Sequence, residues 1–321
     1  MSDMLPMGMH ANSWLANALA SLDDGQDIVL VTVTATKGSS PRDHGSHMLV
    51  TKASIWQTIG GGALEFDVMA RARKMLASDD DDDWQRQHMT VILGPDMGQC
   101  CGGQMSLLLE KFTAKQAGAL AALAQEDHHD QMLAHPLESG VPLTLQSAQS
   151  PLDDAVFMAP VIPRQMPLFI YGAGHVSRAL IPRLDGLGFD IFLVDIEAAR
   201  FADDLGDNVQ KLLAKAPEKI ALRAPQGAVH LVMTHSHSLD EAICLQLLMR
   251  GDFAYLGLIG SKSKRARFAK RLAAAGVSPA MLDRLISPIG ISEINGKSPA
   301  HVALSIAADL AIWQQLRDDA E

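Results

Sequence analysis

A glycine turn between an apolar strand and a helix constrains this sequence more than any other feature. Leu168–Tyr171 is a short apolar run, Gly172-Ala173-Gly174 follows it, and a second apolar run from Phe189 ends in Asp195. Gly172 permits a tight turn, and Gly174 lets a pyrophosphate approach the backbone at a helix N-terminus, where free N–H groups favour an anion. Asp195 lies 23 residues after Gly172, where an acid that binds ribose hydroxyls is expected. The pattern predicts a nucleotide-binding βαβ unit, with His175 directly after the turn.

Two residues of the predicted helix depart from the dinucleotide fingerprint. Ser177 replaces the third glycine, which predicts looser packing of the helix on the strand. Pro182 falls inside the helix and should kink or shorten it. Whether the unit binds a dinucleotide therefore stays open, although Asp195 would favour NAD over NADP because a carboxylate repels a 2′-phosphate.

Length, charge and cysteine usage exclude several classes of protein. A chain of 321 residues is long enough for two domains, and a net charge of −10 argues against nonspecific binding to nucleic acid or anionic membranes. No apolar run reaches the length of a membrane span, and the first residues carry no export signal. A bridge between the adjacent Cys100 and Cys101 would be strained. We expect a reduced, cytoplasmic protein without nucleic-acid or membrane partners.

The order of predicted elements gives the fold class α/β with two domains. Residues 1–125 alternate strands with a few helices and predict an N-terminal α+β domain. Residues 126–166 are polar and punctuated by proline, which predicts a linker segment that packs over one domain. Residues 167–321 repeat apolar strands and helices and predict a Rossmann-like domain with a parallel sheet.

The N-terminal domain contains two glycine-rich loops that could converge on a ligand. Gly60-Gly61-Gly62 joins a strand to the helix that carries Glu65, and we favour a binding role because one glycine would suffice for a turn. Gln99-Cys100-Cys101-Gly102-Gly103 places two thiols on a pliable loop. Thiolates bind thiophilic metals, but free cysteines are commonly small buried hydrophobes, and both interpretations stay open.

Two polar motifs follow predicted strands of the second domain. His235-x-His237, followed by Asp240 and Glu241, is typical of binuclear zinc enzymes, but no further metal-spaced histidine motif exists. We favour contact with a phosphate of a bound ligand at the strand ends. After Gly260-Ser261, a helix opens with several basic side chains and forms either an anion-binding edge or a solvated face; these are Lys262, Lys264, Arg265 and Arg267.

Seven motifs in order resemble the XdhC/CoxI family, accessory proteins of xanthine dehydrogenase and related molybdenum hydroxylases. They are T-x-x-x-GSSPR (34–42), IGGGALE (59–65), QCCGG (99–103), YGAGHV (171–176), THSHSLDE (234–241), GLIGSKSKRARF (257–268) and SPIG (287–290). The resemblance covers the chain from about Ser13 to Trp313. Many members have a glycine in place of Ser177 and a basic residue where this chain has Glu197.

The resemblance implies a nonenzymatic chaperone in purine catabolism that binds the molybdenum cofactor (molybdopterin). Such a protein protects the cofactor during sulfuration and delivers it to the apo-enzyme. Its implied partners are a cysteine desulfurase, the molybdenum-binding subunit of xanthine dehydrogenase and a second copy of itself in a homodimer. The family's cofactor-related cysteine maps onto the Cys100–Cys101 pair as a molybdenum contact, without specifying which thiol.

We therefore expect a set of residues to bind the cofactor or a nucleotide. They are Arg42, Gly61, Gly62, Glu65, Gln99, Cys100, Cys101, Gly102, Gly103, Gly172, Gly174, His175, Asp195, His235, His237 and Ser261. The central expectation is that residues 60–65 and 99–103 meet in one shallow site.

Two alternative functions rest on the Rossmann-like half. One is an NAD(P)-dependent oxidoreductase in which His235 or His237 transfers a proton. The other is a nonenzymatic sensor that binds NAD(P) or another nucleotide without turnover.

Overall fold

The computed structural model describes residues 13–78, 83–94, 102–125, 131–151, 153–161, 165–205 and 209–318. The chain forms two compact units, Met9–Pro163 and Arg164–Glu321. The first unit is α+β and the second contains a parallel Rossmann-like sheet, so the predicted fold class is confirmed.

The N-terminal unit is built on a five-stranded sheet in the order β3-β2-β1-β5-β4, with antiparallel neighbours throughout. Its elements are α1 (Trp14–Asp23), β1 (Ile28–Lys37), β2 (His47–Val50), β3 (Ile55–Gln57), α2 (Gly62–Ala77), β4 (Arg86–Ile92), β5 (Gln104–Phe112) and α3 (Ala117–Gln125). Alternation along β1 sends Val29 and Val31 into the core under α2, and Ile28 and Leu30 into the core with α1.

The segment that we expected to be a linker instead adds a second sheet to the N-terminal unit. Strands β6 (Gln131–Pro136), β7 (Thr144–Ser147) and β8 (Val156–Pro160) pair antiparallel in the order β7-β6-β8. Pro136 and Pro160 are the last residues of their strands, where a missing N–H costs least. These two prolines therefore end strands and do not prevent them from forming.

A buried charge cluster joins the two sheets of this unit. Glu110 on β5 accepts a hydrogen bond from Arg86 Nε at 2.8 Å and contacts His135 Nδ1 on β6 at 2.6 Å. Arg86 also donates to the carbonyls of Glu138 and Val141, in the turn between β6 and β7. These contacts span up to 55 residues of sequence and hold the second sheet on the first.

The C-terminal unit contains a six-stranded parallel sheet in the order β11-β10-β9-β12-β13-β14. Its elements are β9 (Met166–Tyr171), α4 (His175–Leu180), β10 (Phe189–Asp195), β11 (Val209–Leu213), α5 (Pro217–Ala221), β12 (Val229–Val232), α6 (His237–Arg250), β13 (Tyr255–Leu258), α7 (Lys262–Ala274), α8 (Pro279–Asp283), β14 (Leu285–Ile286) and α9 (Pro299–Asp318). This is the doubly wound order, in which the winding direction reverses between β9 and β12.

The predicted effect of Pro182 on the first helix of this unit is confirmed. Helix α4 ends at Leu180 and continues as a 3₁₀ turn, Ile181–Arg183, around Pro182. Helix α9 covers the sheet with Ile306 and Leu310 in the core. Within the described ranges, no helix has the length and apolarity needed to cross a membrane.

Candidate functional site

The carboxyl ends of β9, β10 and β12 open into a small cleft at the point where the winding reverses. We call this the switch-point cleft; its lining residues are Tyr171, Gly172, Val194, Asp195, Ile196, Pro217, Thr234, His235 and Leu239. The cleft measures about 200 Å³, including the open solvent above it. Doubly wound sheets bind their ligands at this position, because the loops on either side diverge there.

The two glycines of the turn have different roles. A Cβ at Gly172, whose φ is +109°, would stand 2.5 Å from the carbonyl oxygen of Met233, so only glycine lets β9 and β12 approach this closely. At Gly174, no described atom lies within 4 Å of the corresponding position. Packing therefore requires Gly172, whereas Gly174 leaves open backbone that a ligand can approach, beside the exposed His175.

Ser177, in place of the third glycine, ties the helix to the turn by a hydrogen bond. The residue is buried, and its hydroxyl donates to the carbonyl oxygen of Gly172. The close glycine contact of the fingerprint is thus replaced by a polar contact within α4 and the turn.

The carboxylate of Asp195 holds the turn from the neighbouring strand. Its Oδ2 accepts the Ala173 N–H at 2.7 Å, and its Oδ1 accepts the Glu197 N–H at 3.1 Å. Arg200 Nε lies 3.7 Å from the same Oδ1, and Asp195 is only 4% exposed. Sequence reasoning assigned Asp195 but missed Arg200, although a basic residue five positions after a strand-end acid was a usable signal.

A buried ion pair supports the other wall of the cleft. Asp240 Oδ1 accepts hydrogen bonds from the N–H and the hydroxyl of Thr234, at 3.0 and 2.7 Å. Asp240 Oδ2 lies 2.6 Å from Lys264 Nζ, which also donates to the carbonyl of Ile259. The Asp240 side chain is fully buried and that of Lys264 is 9% exposed. The two motifs that follow β12 and β13 are therefore locked together.

The ion pair buries one basic side chain of α7, while other basic side chains of this helix face solvent. Lys264 points inward and shares its buried face with Phe268 and Leu272 in α7, while Lys262 and Arg267 are exposed. Lys264, Phe268 and Leu272 are spaced four residues apart and so lie on one face of the helix, which was a signal for the burial of Lys264. Ser261 caps α7 by accepting the Lys264 N–H at 3.2 Å.

His235 and His237 are exposed, and only His235 lines the cleft. Over the residues that the structure describes, no three His, Cys, Asp or Glu side chains form a group that could hold a metal ion.

Three glycine-bearing loops converge in the N-terminal unit; we call residues 37–42, 58–62 and 102–103 the loop cluster. Ser39 forms a β-bridge with Gly102, and a Cβ at Gly103 would stand 2.0 Å from the Ser39 carbonyl oxygen. A Cβ at Gly60 would stand 2.6 Å from the Pro41 side chain. The loop 37–42 therefore contacts both predicted glycine loops. Gln99, Cys100 and Cys101 lie outside the described residues.

Glu65 holds the turn of the loop cluster as Asp195 holds that of the cleft. Its carboxylate accepts the N–H groups of Ile59 and Gly61, each at 3.1 Å, and the hydroxyl of Thr58. Gly62, the first residue of α2, is exposed.

Some backbone of the loop cluster stays open. Gly61 and Gly102 have left-handed φ angles of +74° and +61°, and no described atom lies within 4 Å of a Cβ at either residue. Arg42 is exposed, and its Cγ lies 3.6 Å from a Cβ placed on Gly60. The cluster thus combines open amides with one cationic side chain.

Comparison with known proteins gives two family matches. The sequence model described as "XdhC Rossmann domain" matches residues 168–310, and that described as "XdhC and CoxI family" matches residues 21–82. Together the two matches account for most of the chain.

Two relatives and one solved structure are similar over most of this chain. The uncharacterized protein YqeB of Escherichia coli (strain K12) is 26% identical over 88% of this chain, which spans only 42% of that relative. A protein of Bacillus subtilis (strain 168), described as a probable subunit of xanthine dehydrogenase, is 23% identical over 91% of this chain and 94% of its own length. The crystal structure of a protein described as a xanthine dehydrogenase from Bacillus halodurans superposes with a TM-score of 0.74 over 94% of this chain and 95% of its own. At 22% identity, that likeness shows the fold alone.

Proposed function

Because the chain belongs to the XdhC and CoxI family, we propose that it serves the maturation of a xanthine dehydrogenase or a related molybdenum hydroxylase. In this proposal it is a chaperone without turnover that binds the molybdenum cofactor, protects it during sulfuration and delivers it to the apo-enzyme. A cysteine desulfurase and the molybdenum-binding subunit would be its partners, and it would act as a homodimer.

One observation carries the cofactor proposal. Two glycine motifs that lie 41 residues apart in sequence, around Gly61 and Gly102, contact the same loop, and each leaves a left-handed glycine with an open face. The left-handed φ angles of Gly61 and Gly102 already favour glycine, so the support for a ligand site lies in the convergence of both motifs on one loop, where Gly60 and Gly103 pack closely.

The chemistry of these residues fits the cofactor. Its phosphate is an anion, which backbone N–H groups and the Arg42 guanidinium can bind. Its molybdenum accepts sulfur ligands, and Cys100 and Cys101 immediately precede Gly102 in sequence. The cofactor supplies redox chemistry to the hydroxylase, while this chain needs only to bind it and release it.

Cofactor retention tests the proposal directly. We would incubate the full chain with cofactor released from a molybdenum hydroxylase, remove free cofactor by gel filtration, and measure bound molybdenum and pterin by mass spectrometry. We expect retention by the wild type and a loss of at least tenfold in Cys100→Ala or Cys101→Ala. Cys244→Ala is the matched control, because it removes a buried thiol from the other unit.

The outcomes separate two parts of the proposal. Wild-type protein without pterin or molybdenum would refute the chaperone function. Equal retention by the wild type and both cysteine variants would remove the thiols from the site and leave binding to the backbone and Arg42.

The switch-point cleft favours a second candidate function, the binding of NAD(P) or another nucleotide. The supporting observation is the open backbone at Gly174 beside a cleft on the reversal point of a doubly wound sheet. Calorimetric titration with NAD and NADH, followed by an assay for hydride transfer, distinguishes an oxidoreductase from a sensor. Binding without transfer supports the sensor, and absence of binding refutes both.

A further inference from the structure

Beside Asp195, which lines the switch-point cleft, lies an arginine that the nucleotide fingerprint does not include, Arg200. In doubly wound folds, the acid after the second strand binds the hydroxyls of the adenosine ribose, and a nearby arginine accommodates a 2′-phosphate. Strand β10 occupies the second position here and ends at Asp195. The side chains next to Asp195 therefore decide which ribose the cleft accepts.

Asp195 has little capacity left for ribose hydroxyls. One carboxylate oxygen accepts the Ala173 N–H and the other accepts the Glu197 N–H, and the residue is 4% exposed. Its main role is to fix the turn after β9. The preference for NAD that a free carboxylate would impose is weakened, because the negative charge faces backbone amides and Arg200 Nε.

Arg200 is held beside Asp195 by contacts of its backbone and of its side chain. It ends the 3₁₀ turn Ala198–Arg200, and its carbonyl oxygen accepts a hydrogen bond from Arg178 Nη2 at 2.8 Å. Its Nε lies 3.7 Å from Asp195 Oδ1, and this buried Nε has no hydrogen-bond partner within the part of the chain that the structure describes. Its Nε faces Asp195 in the interior, while the side chain as a whole is 33% exposed, so the guanidinium lies beside the acid of the turn and reaches solvent.

Glu197, which pairs with Arg200, can be replaced by a stronger anionic partner. Arg200 Nη2 contacts Glu197 Oε1 at 3.0 Å, and the two side chains are 33% and 53% exposed. An exposed pair of this kind contributes at most about 1 kcal/mol, whereas a phosphate accepts two parallel, charge-assisted hydrogen bonds from one guanidinium. A phosphate at this position would displace Glu197.

We propose that Arg200 selects nucleotides that carry a phosphate on the 2′-oxygen of the adenosine ribose. This inference rests on the proposal that the cleft binds a nucleotide, and it adds the specificity of that site. Arg178 acts through its hydrogen bond to the Arg200 carbonyl and is a positioning residue.

Calorimetric titration of the full chain with 2′,5′-ADP and 5′-AMP tests the inference, because the two probes differ only in the 2′-phosphate. We expect 2′,5′-ADP to bind at least tenfold more tightly. Arg200→Ala should abolish that preference, so that the two probes bind with equal affinity. Glu197→Gln should strengthen the binding of 2′,5′-ADP about two- to fivefold, because it removes the competing carboxylate. Arg183→Ala, an exposed arginine behind α4, is the matched control and should behave as the wild type.

The outcomes separate the inference from the function on which it rests. Equal affinity for the two probes, or a preference that survives Arg200→Ala, overturns the specificity inference while nucleotide binding stands. If neither probe binds, the nucleotide-binding function fails and the inference fails with it. Arg200→Lys keeps the positive charge but not the paired N–H donors of the guanidinium, so it should retain only part of the preference for 2′,5′-ADP.

Discussion

The switch-point cleft and the loop cluster hold their glycine turns by the same device but on different supports. In the cleft, Asp195 binds the Ala173 N–H; in the loop cluster, Glu65 binds the N–H groups of Ile59 and Gly61. The cleft turn ends strand β9, whose last four residues are buried, whereas the Glu65 turn follows the short edge strand β3, which is partly exposed. An acid near a glycine motif is therefore first a support for the turn, and the open glycines indicate where a ligand can lie.

The largest expected effect comes from breaking the buried ion pair of Asp240 and Lys264, which supports the cleft and has no counterpart described in the loop cluster. We expect Lys264→Met to lower the free energy of unfolding of the C-terminal unit by about 3–5 kcal/mol, because Asp240 is left charged and buried. Urea unfolding measures the change. Lys262→Met, at the exposed lysine two residues earlier, is the matched control and should cost less than about 0.5 kcal/mol.

A double variant tests the assigned cause. Asp240→Asn combined with Lys264→Met keeps an oxygen for Thr234 but removes both charges, so it should be more stable than Lys264→Met alone. A cost of less than about 1 kcal/mol for Lys264→Met would show that the pair does not support the cleft.

The two glycines of the cleft turn should separate stability from binding. We expect Gly172→Ala to cost about 3 kcal/mol, because a Cβ would collide with the Met233 carbonyl at a positive φ. Gly174→Ala should cost about 1 kcal/mol or less, since its φ of −85° suits alanine, yet it should weaken nucleotide binding. Urea unfolding and calorimetry measure the two quantities.

The same contrast applies to the loop cluster. Gly103→Ala should destabilise the N-terminal unit by a similar amount, because its Cβ would meet the Ser39 carbonyl. Equal losses of stability from Gly172→Ala and Gly174→Ala would contradict the division of roles between packing glycines and open ones.

Features that depend on local periodicity were predictable from the sequence. The four apolar residues that define one face of α1 are all buried; they are Trp14, Leu15, Ala18 and Leu22. The parallel sheet followed from repeated apolar strands and helices, and Pro182 ends α4 as its missing N–H requires. The glycine turn and its acid were placed correctly for the same reason, because their spacing is set within one βαβ unit.

Features that depend on distant contacts were not predictable. The second sheet of the N-terminal unit is held by Arg86, which reaches the carbonyl of Val141 across 55 residues. Loop 37–42 meets Gly102 through a backbone bridge at Ser39 and places the Pro41 side chain against Gly60, and no local periodicity marks either contact. The role of Arg200 depends on the fold of the turn after β10, and its neighbour Glu197 gave the opposite signal in the sequence.

Acidification below pH 6.5 should weaken the C-terminal unit more than the N-terminal unit, because burial lowers the pKa of His230 further than it lowers that of His47 in β2. Burial, assisted by the charge of Arg250, lowers the pKa of His230 from 6.5 to about 3. Since the folded pKa is depressed, the stability that neutral His230 contributes is complete above pH 6.5 and is lost as the pH falls toward 3. The slope is at most about 1.4 kcal/mol per pH unit.

Protonation of Glu110 should lower the stability of the N-terminal unit only at lower pH. Burial would raise its pKa, but the charges of His135 and Arg86 and their hydrogen bonds outweigh burial and lower it below 4.5. Its contribution is therefore complete above pH 4.5 and is lost below that. Hydrogen exchange followed by mass spectrometry at pH 7 and pH 5.5, corrected for intrinsic exchange, resolves the two units. His230→Gln should remove the difference, and earlier loosening of the N-terminal unit would contradict the assignment.

The smallest effect concerns the acid that supports the loop cluster. Glu65→Gln should cost about 1 kcal/mol, because an amide accepts weaker hydrogen bonds than a carboxylate. The loss should be local: the amides of Ile59 and Gly61 should exchange faster, while those of the β1–β5 pairing should not change. Asp67→Asn, two residues along α2 in an exposed pair with Arg71, is the matched control and should leave the turn protected. If both variants release the turn equally, the turn depends on the helix and not on Glu65, and the parallel with Asp195 fails.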